Sequence, residues 1–126
     1  MKMEFLAEGS ADRPLIRLYD FDVVGARRLR EAFRSLADGT RRTIPLHEEW
    51  WIEPVDECRL TLRLGVRNLG VVQRVSTSFD CVLTKDAWRD GASLTDPFCE
   101  AELTRSDTWL DQNGEIALLL SPSGLW

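Results

Sequence analysis

Between residues 58 and 64 the chain alternates strictly. Cys58, Leu60, Leu62 and Leu64 are apolar, and Arg59, Thr61 and Arg63 between them are polar. Successive side chains of a strand point to opposite faces, so this pattern buries one face and wets the other. A helix would scatter the same apolar residues around its axis. The segment therefore commits the chain to a sheet with one greasy face, and the remaining sequence has to supply its neighbours and its cover.

Neighbours follow at once. Turn formers at residues 65–68 lead into an apolar stretch at 69–75, and residues 78–83 alternate again through Phe79, Cys81 and Leu83. Three consecutive strands joined by short turns predict an antiparallel meander. Upstream, residues 3–7 and 15–19 flank a turn-rich stretch and predict a hairpin. Residues 43–51 read as extended, with Pro45 suggesting an edge strand or an irregular entry. Downstream, Asn113-Gly114 separates strand-like runs at 108–112 and 115–121. That pair predicts a two-residue hairpin turn, both of whose central positions need positive φ.

The cover comes from two helices. Asp22 is placed to cap the first, in which Ala26, Leu29, Phe33 and Leu36 make one apolar stripe and Gly39 marks the end. Thr84 is placed to cap a second around Ala87, Trp88 and Ala92. Asp86 sits favourably at its positive end, Gly91 weakens its middle, and Pro97 stops it at the latest. The order β-β-α-β-β-β-β-α-β-β predicts one α+β domain over residues 1–126. Its expected form is a mainly antiparallel sheet of about six to eight strands with both helices on one face.

Composition narrows the class. Hydrophobic residues at 44% and charged residues at 29% exclude a disordered chain. The longest apolar run, residues 116–120, is far short of the ~20 residues of a membrane helix, and the N-terminal apolar stretch is too short for a signal-peptide core. Three cysteines without close spacing point to a reducing compartment. A soluble cytoplasmic protein with no membrane partner is the expectation. Basic residues are 14 Arg and 2 Lys, a bias that the codon composition of a GC-rich bacterial genome accounts for without invoking function.

Charge is distributed unevenly. Residues 1–74 carry 13 basic and 12 acidic groups, whereas residues 75–126 carry 3 and 9. Arg27, Arg30 and Arg34 on the first helix, with Arg59 and Arg63 on the wet face of a strand, form a candidate anion-binding set, because arginine forks suit phosphate and carboxylate. Arg28, Arg41 and Arg42 add to the basic character of the helix region. A pI of 4.9 is opposite to the usual nucleic-acid footprint, so nucleic acid is not the expected partner.

Catalytic and metal constellations are weak. His47 is the one histidine, and His-Glu-Glu-Trp-Trp lacks the second histidine of a helical zinc motif. No Cys-x-x-Cys knuckle occurs, so neither a metal nor another cofactor is called for. Cys58 and Cys81 fall on apolar faces, where cysteine behaves as a small hydrophobe, while Cys99 is less constrained. Asp20 and Asp22 flank Phe21 between a strand and a helix. Without a phosphate loop or parallel βαβ repeats, helix capping explains them better than Mg²⁺ binding.

Five tryptophans are many for this length. Trp50 and Trp51 are adjacent, so in extended chain they face opposite ways and cannot both enter one core. With Glu48 and Glu49 they form the candidate partner-binding site, an aromatic anchor with an acidic rim. Trp126 is a further aromatic that either docks back or meets a partner. Two readings follow. The favoured one is a non-enzymatic interaction or accessory domain of inhibitor or immunity-like character, by analogy of composition alone. The alternative is a small-molecule or enzymatic domain whose pocket, between sheet and helices, is lined by Asp20, His47, Arg59 and Arg63. Sheet edges also leave a homodimer open.

Overall fold

The first hairpin forms as expected: β1 (Lys2–Leu6) runs antiparallel to β2 (Leu15–Tyr19), in register from Lys2 opposite Tyr19 to Leu6 opposite Leu15. The computed structural model describes residues 1–9, 13–100 and 107–122. Trp126 and part of the turn between these two strands lie outside the described residues. Helix α1 (Val23–Ala37) starts where Asp22 accepts the Gly25 amide at 2.9 Å, and it buries Ala26, Leu29, Phe33 and Leu36. Past its end, Gly39 adopts φ 80°, the left-handed conformation for which glycine is suited.

Four strands of the middle region follow. They are β3 (Thr43–Pro45), a two-residue β4 (Glu53–Pro54), β5 (Arg59–Leu64) and β6 (Gly70–Val75). Then come β7 (Ser78–Leu83), α2 (Lys85–Thr95), β8 (Thr108–Asp111) and β9 (Ala117–Ser121). The described residues thus hold nine strands and two α-helices, in the expected order with β4 added. A strand of two residues carries no periodicity from which to foresee it.

The single, mainly antiparallel sheet is not what forms. The strands divide into two mixed sheets, β4-β1-β2-β9-β8 and β3-β5-β7-β6. β2 pairs with β9 in parallel, β5 with β7 in parallel, and β1 with β4 in parallel. The expected meander is corrected in the same way. β6 and β7 do form an antiparallel hairpin, but β7 lies between β5 and β6. The loop after β5 makes this possible by spanning two strand spacings of about 4.8 Å. Its two ends bind the same strand end: the Gly65 amide donates to the Leu83 carbonyl at 3.0 Å, and the Leu69 amide to Val82 at 2.9 Å. The local turn signal was correct, and the strand across it was a long-range choice.

The last hairpin also differs in its turn. β8 and β9 pair antiparallel, yet residues 112–116 separate them instead of a two-residue Asn-Gly turn. Asn113 folds back on Asp111, placing its backbone amide 3.3 Å and its side-chain amide 2.5 Å from the carboxylate. Gly114 is required for space, since a Cβ there would stand 2.7 Å from the Val71 carbonyl oxygen. At that seam Val71 of β6 bridges to Ile116, and the backbone of Gly70 (φ 74°) closes on Gly114. The two sheets therefore touch backbone to backbone.

One continuous core joins both sheets and both helices. Met3, Ile16, Leu18, Leu118 and Leu120 come from one sheet, and Leu60, Leu62, Phe79, Cys81 and Leu83 from the other. Leu29, Phe33, Leu36, Trp88 and Ala92 come from the helices. Phe5 meets Phe79 across the sheets at 4.7 Å between ring centroids. Phe33 packs on Trp88 at 5.3 Å, and Gly91 of α2 faces the Phe33 ring. Trp88 satisfies its indole N–H on the Arg63 carbonyl at 3.1 Å. No helix among the described residues is long and apolar enough to cross a membrane.

Candidate functional site

The 43–51 segment is extended only as far as Pro45, which sits on the edge strand β3 as expected. Proline cannot donate to a continuing ladder, and the chain coils instead into a 3-10 turn at Leu46–Glu48. The Glu49 amide then donates to the Leu46 carbonyl at 3.1 Å, and the Ile52 amide to Glu49 at 3.0 Å. Leu46 and Ile52 are buried on either side of this double turn. Two apolar anchors so close in sequence force the residues between them outward. Trp51 stays half-buried against the core, and Trp50 is 78% exposed.

The exposed indole has a neighbour on α1. The guanidinium of Arg28 lies over the Trp50 ring at 4.4 Å from its centroid, a cation–π geometry. One helical turn earlier Val24 is 54% exposed. Beside them runs a groove of about 520 Å³ lined by Arg27, Arg28, Arg41, Glu49, Ala32 and Trp51, among others. Glu49 pairs with Arg41 at 3.6 Å across it. Arg27 is braced by a hydrogen bond from its Nε to the Cys99 carbonyl at 3.1 Å.

The structure thus brings Trp50, Trp51 and Glu49 together with two arginines of α1. Glu48 leaves that group and lines a separate groove of about 470 Å³ with His47, Pro54, Glu57 and Arg59. Of the five arginines of the anion-binding expectation, Arg27, Arg30 and Arg34 share α1, and Arg59 and Arg63 share β5. Arg30 bonds Asp96 at 3.0 Å, and Arg34 pairs with both Glu31 and Asp96. Arg63 bonds Asp80 at 3.1 Å on the other sheet. Sequence reasoning missed the part played by Val24. Its signal was an apolar residue off the buried stripe of α1, four positions before Arg28.

Several of the other candidates have partners within the fold. Asp20, at φ 53°, pairs with Lys2 at 3.4 Å, while Asp22 caps α1. Nδ1 of His47 stands 3.3 Å from the Leu60 carbonyl. All three thiols are buried. Burial pushes Cys58 up to about 12 and raises Cys81 and Cys99 as well, which suppresses the thiolate form a nucleophile needs. Among the described residues no three His, Cys, Asp or Glu side chains are grouped to hold a metal ion. Of the four residues expected to line a sheet–helix pocket, His47 and Arg59 share a surface groove, whereas Asp20 and Arg63 are held elsewhere by ion pairs.

Fold and site together define an α+β domain of two mixed sheets with an aromatic–arginine surface on its first helix. No family model, no curated protein and no solved structure matches the chain.

Proposed function

We propose that this chain is a non-enzymatic interaction domain that meets another protein through the surface formed by Trp50, Val24 and Arg28. The observation that carries the reading is the exposure of Trp50 under the Arg28 guanidinium. A tryptophan can bury roughly 150–250 Å² on contact. Tryptophan and arginine are also the residues most enriched among those that dominate binding energy. The flanking turns fix the backbone at Trp50, so little main-chain freedom is lost when a partner covers it. Among the described residues the other large apolar side chains that are exposed, such as Val66 at 94%, are aliphatic, and scattered aliphatics of that kind are ordinary on a protein surface.

The test is the double variant Trp50→Ala, Val24→Ser. Both side chains are exposed, so its thermal midpoint stays within a few degrees of the parent, as surface substitutions usually do. Proteins retained on the immobilised wild-type chain are identified by mass, and their affinity is then measured for both forms. A loss of about tenfold or more is expected, equivalent to ~1.4 kcal/mol. Undiminished affinity would remove this surface from the function. Truncating Trp51 is a poorer experiment, because it packs against the core.

A further inference from the structure

The charges around the groove specify what kind of partner fits it. Three arginines line it, Arg27, Arg28 and Arg41, against two glutamates. Both glutamates are already engaged: Glu49 with Arg41, and Glu31 with Arg34 at 3.3 Å. Arg27 has its Nε on a backbone carbonyl and Arg28 lies on an aromatic face, so neither of these contacts cancels a full charge. The floor beside them is apolar, made by Val24, Ala32 and Trp51. From this complementarity we infer that the occupant is an acidic protein segment. Its carboxylates engage Arg27 and Arg28, and an apolar side chain enters the groove against Val24, Ala32 and Trp51.

This inference rests on the interaction reading given above and names its partner. A second copy using the same patch fits poorly. A two-fold interface would bring two copies of this patch together, each with three arginines against two glutamates that are already paired, so the surplus positive charge of one copy would meet that of the other. A nucleic acid offers no aliphatic side chain to the apolar floor of Val24, Ala32 and Trp51, which a peptide does. An acidic peptide is favoured because arginine forks grip carboxylates bidentately. Charge pairs of this kind also leave a salt signature.

The experiment uses the full chain and fluorescence anisotropy with three labelled probes. The first is a short peptide of Glu and Asp flanking Leu-Phe, the second its Gln/Asn isostere, and the third an oligothymidine strand. The acidic peptide is expected to bind about tenfold or more tightly than its isostere, and to weaken as salt screens the pairs. Arg27→Glu with Arg28→Glu is expected to abolish that preference and to favour a Lys-flanked Leu-Phe peptide instead. Equal binding of the isostere, lost in Trp50→Ala, Val24→Ser, overturns the acidic partner and leaves the interaction surface standing. Peptide binding that ignores the Trp50 and Val24 substitutions overturns both. Tighter binding of the oligothymidine, or no peptide binding up to about 1 mM, also overturns the inference.

Discussion

The two sheets share one hydrogen-bonding plan and differ in what they do with their second face. Four strands in each, β1-β2-β9-β8 and β3-β5-β7-β6, follow the sequence antiparallel, parallel, antiparallel. In both, the first face feeds the common core. On the second face, the middle of β9 is Leu119, fully buried with Leu15 and Ala117 and packed by Leu6 and Trp109. The middle of β7 is Asp80, held between Arg63 at 3.1 Å and Arg74 at 2.7 Å. Residues in equivalent places are both withdrawn from water, one by apolar neighbours and the other under two guanidinium groups. The pairing plan therefore does not dictate the chemistry of the outer face, and the two faces are stabilised by forces of different size.

Truncating each central residue to alanine measures that difference. Leu119→Ala removes apolar atoms from a sealed cluster and leaves a cavity, so a loss of about 3 kcal/mol is expected. It is read as a lowered urea midpoint with an unchanged slope. A loss below 1 kcal/mol would mean that this face is not a second core. Asp80→Ala removes hydrogen bonds from two arginines that are themselves about half exposed. Those guanidinium groups turn to water, so the cost is that of surface ion pairs, about 1 kcal/mol or less, and it shrinks as salt is added. An Asp80 effect as large as that of Leu119, or one indifferent to salt, would erase the contrast.

The same contrast explains how much could be read in advance. Local signals gave these elements: periodicity for α1 and the inward faces of β5 and β7, a capping residue for α2, and turn formers for the β1–β2 hairpin, because neighbouring residues alone determine such patterns. The parallel pairings could not be seen. β2 and β9 stand at opposite ends of the chain, and nothing local to Leu15–Tyr19 names Ala117–Ser121 as its neighbour. Once the pairing is known, the unbroken apolar run at 116–120 makes sense as a strand buried on both faces. Of the site, the adjacent tryptophans do not lie in extended chain as expected: both lie in a turn, and Trp50 is exposed by that turn instead. The arginine over Trp50 was not legible, since long-range packing brings α1 beside the chain that follows the Leu46–Glu48 turn. Glu48, grouped with them by proximity in sequence, went to the other side of that turn.

The smallest expected effect lies where the chain crosses between the sheets. β4 belongs to one sheet and β5 to the other, and the turn joining them runs from Val55 to Cys58, whose amide donates to the Val55 carbonyl at 3.1 Å. Its two central residues, Asp56 and Glu57, have φ of 51° and 59°. Positive φ at both positions is the signature of a type I′ turn, which normally takes Asn-Gly or a similar pair. Asp tolerates this conformation, but Glu gains nothing from it and carries a steric cost of about 1 kcal/mol. The position is held from outside, since Thr77 donates its hydroxyl to the Glu57 carbonyl at 2.9 Å. Glu57→Gly removes the steric cost and adds some chain entropy to the unfolded state, so a net stabilisation of about 0.5 kcal/mol is expected. That is a higher urea midpoint, opposite in sign to both alanine variants. Destabilisation would show instead that the Glu57 side chain contributes to the crossing through its place in the groove with His47 and Arg59. The two sheets would then be joined by chemistry at that corner as well as by their backbone contact at Gly70 and Gly114.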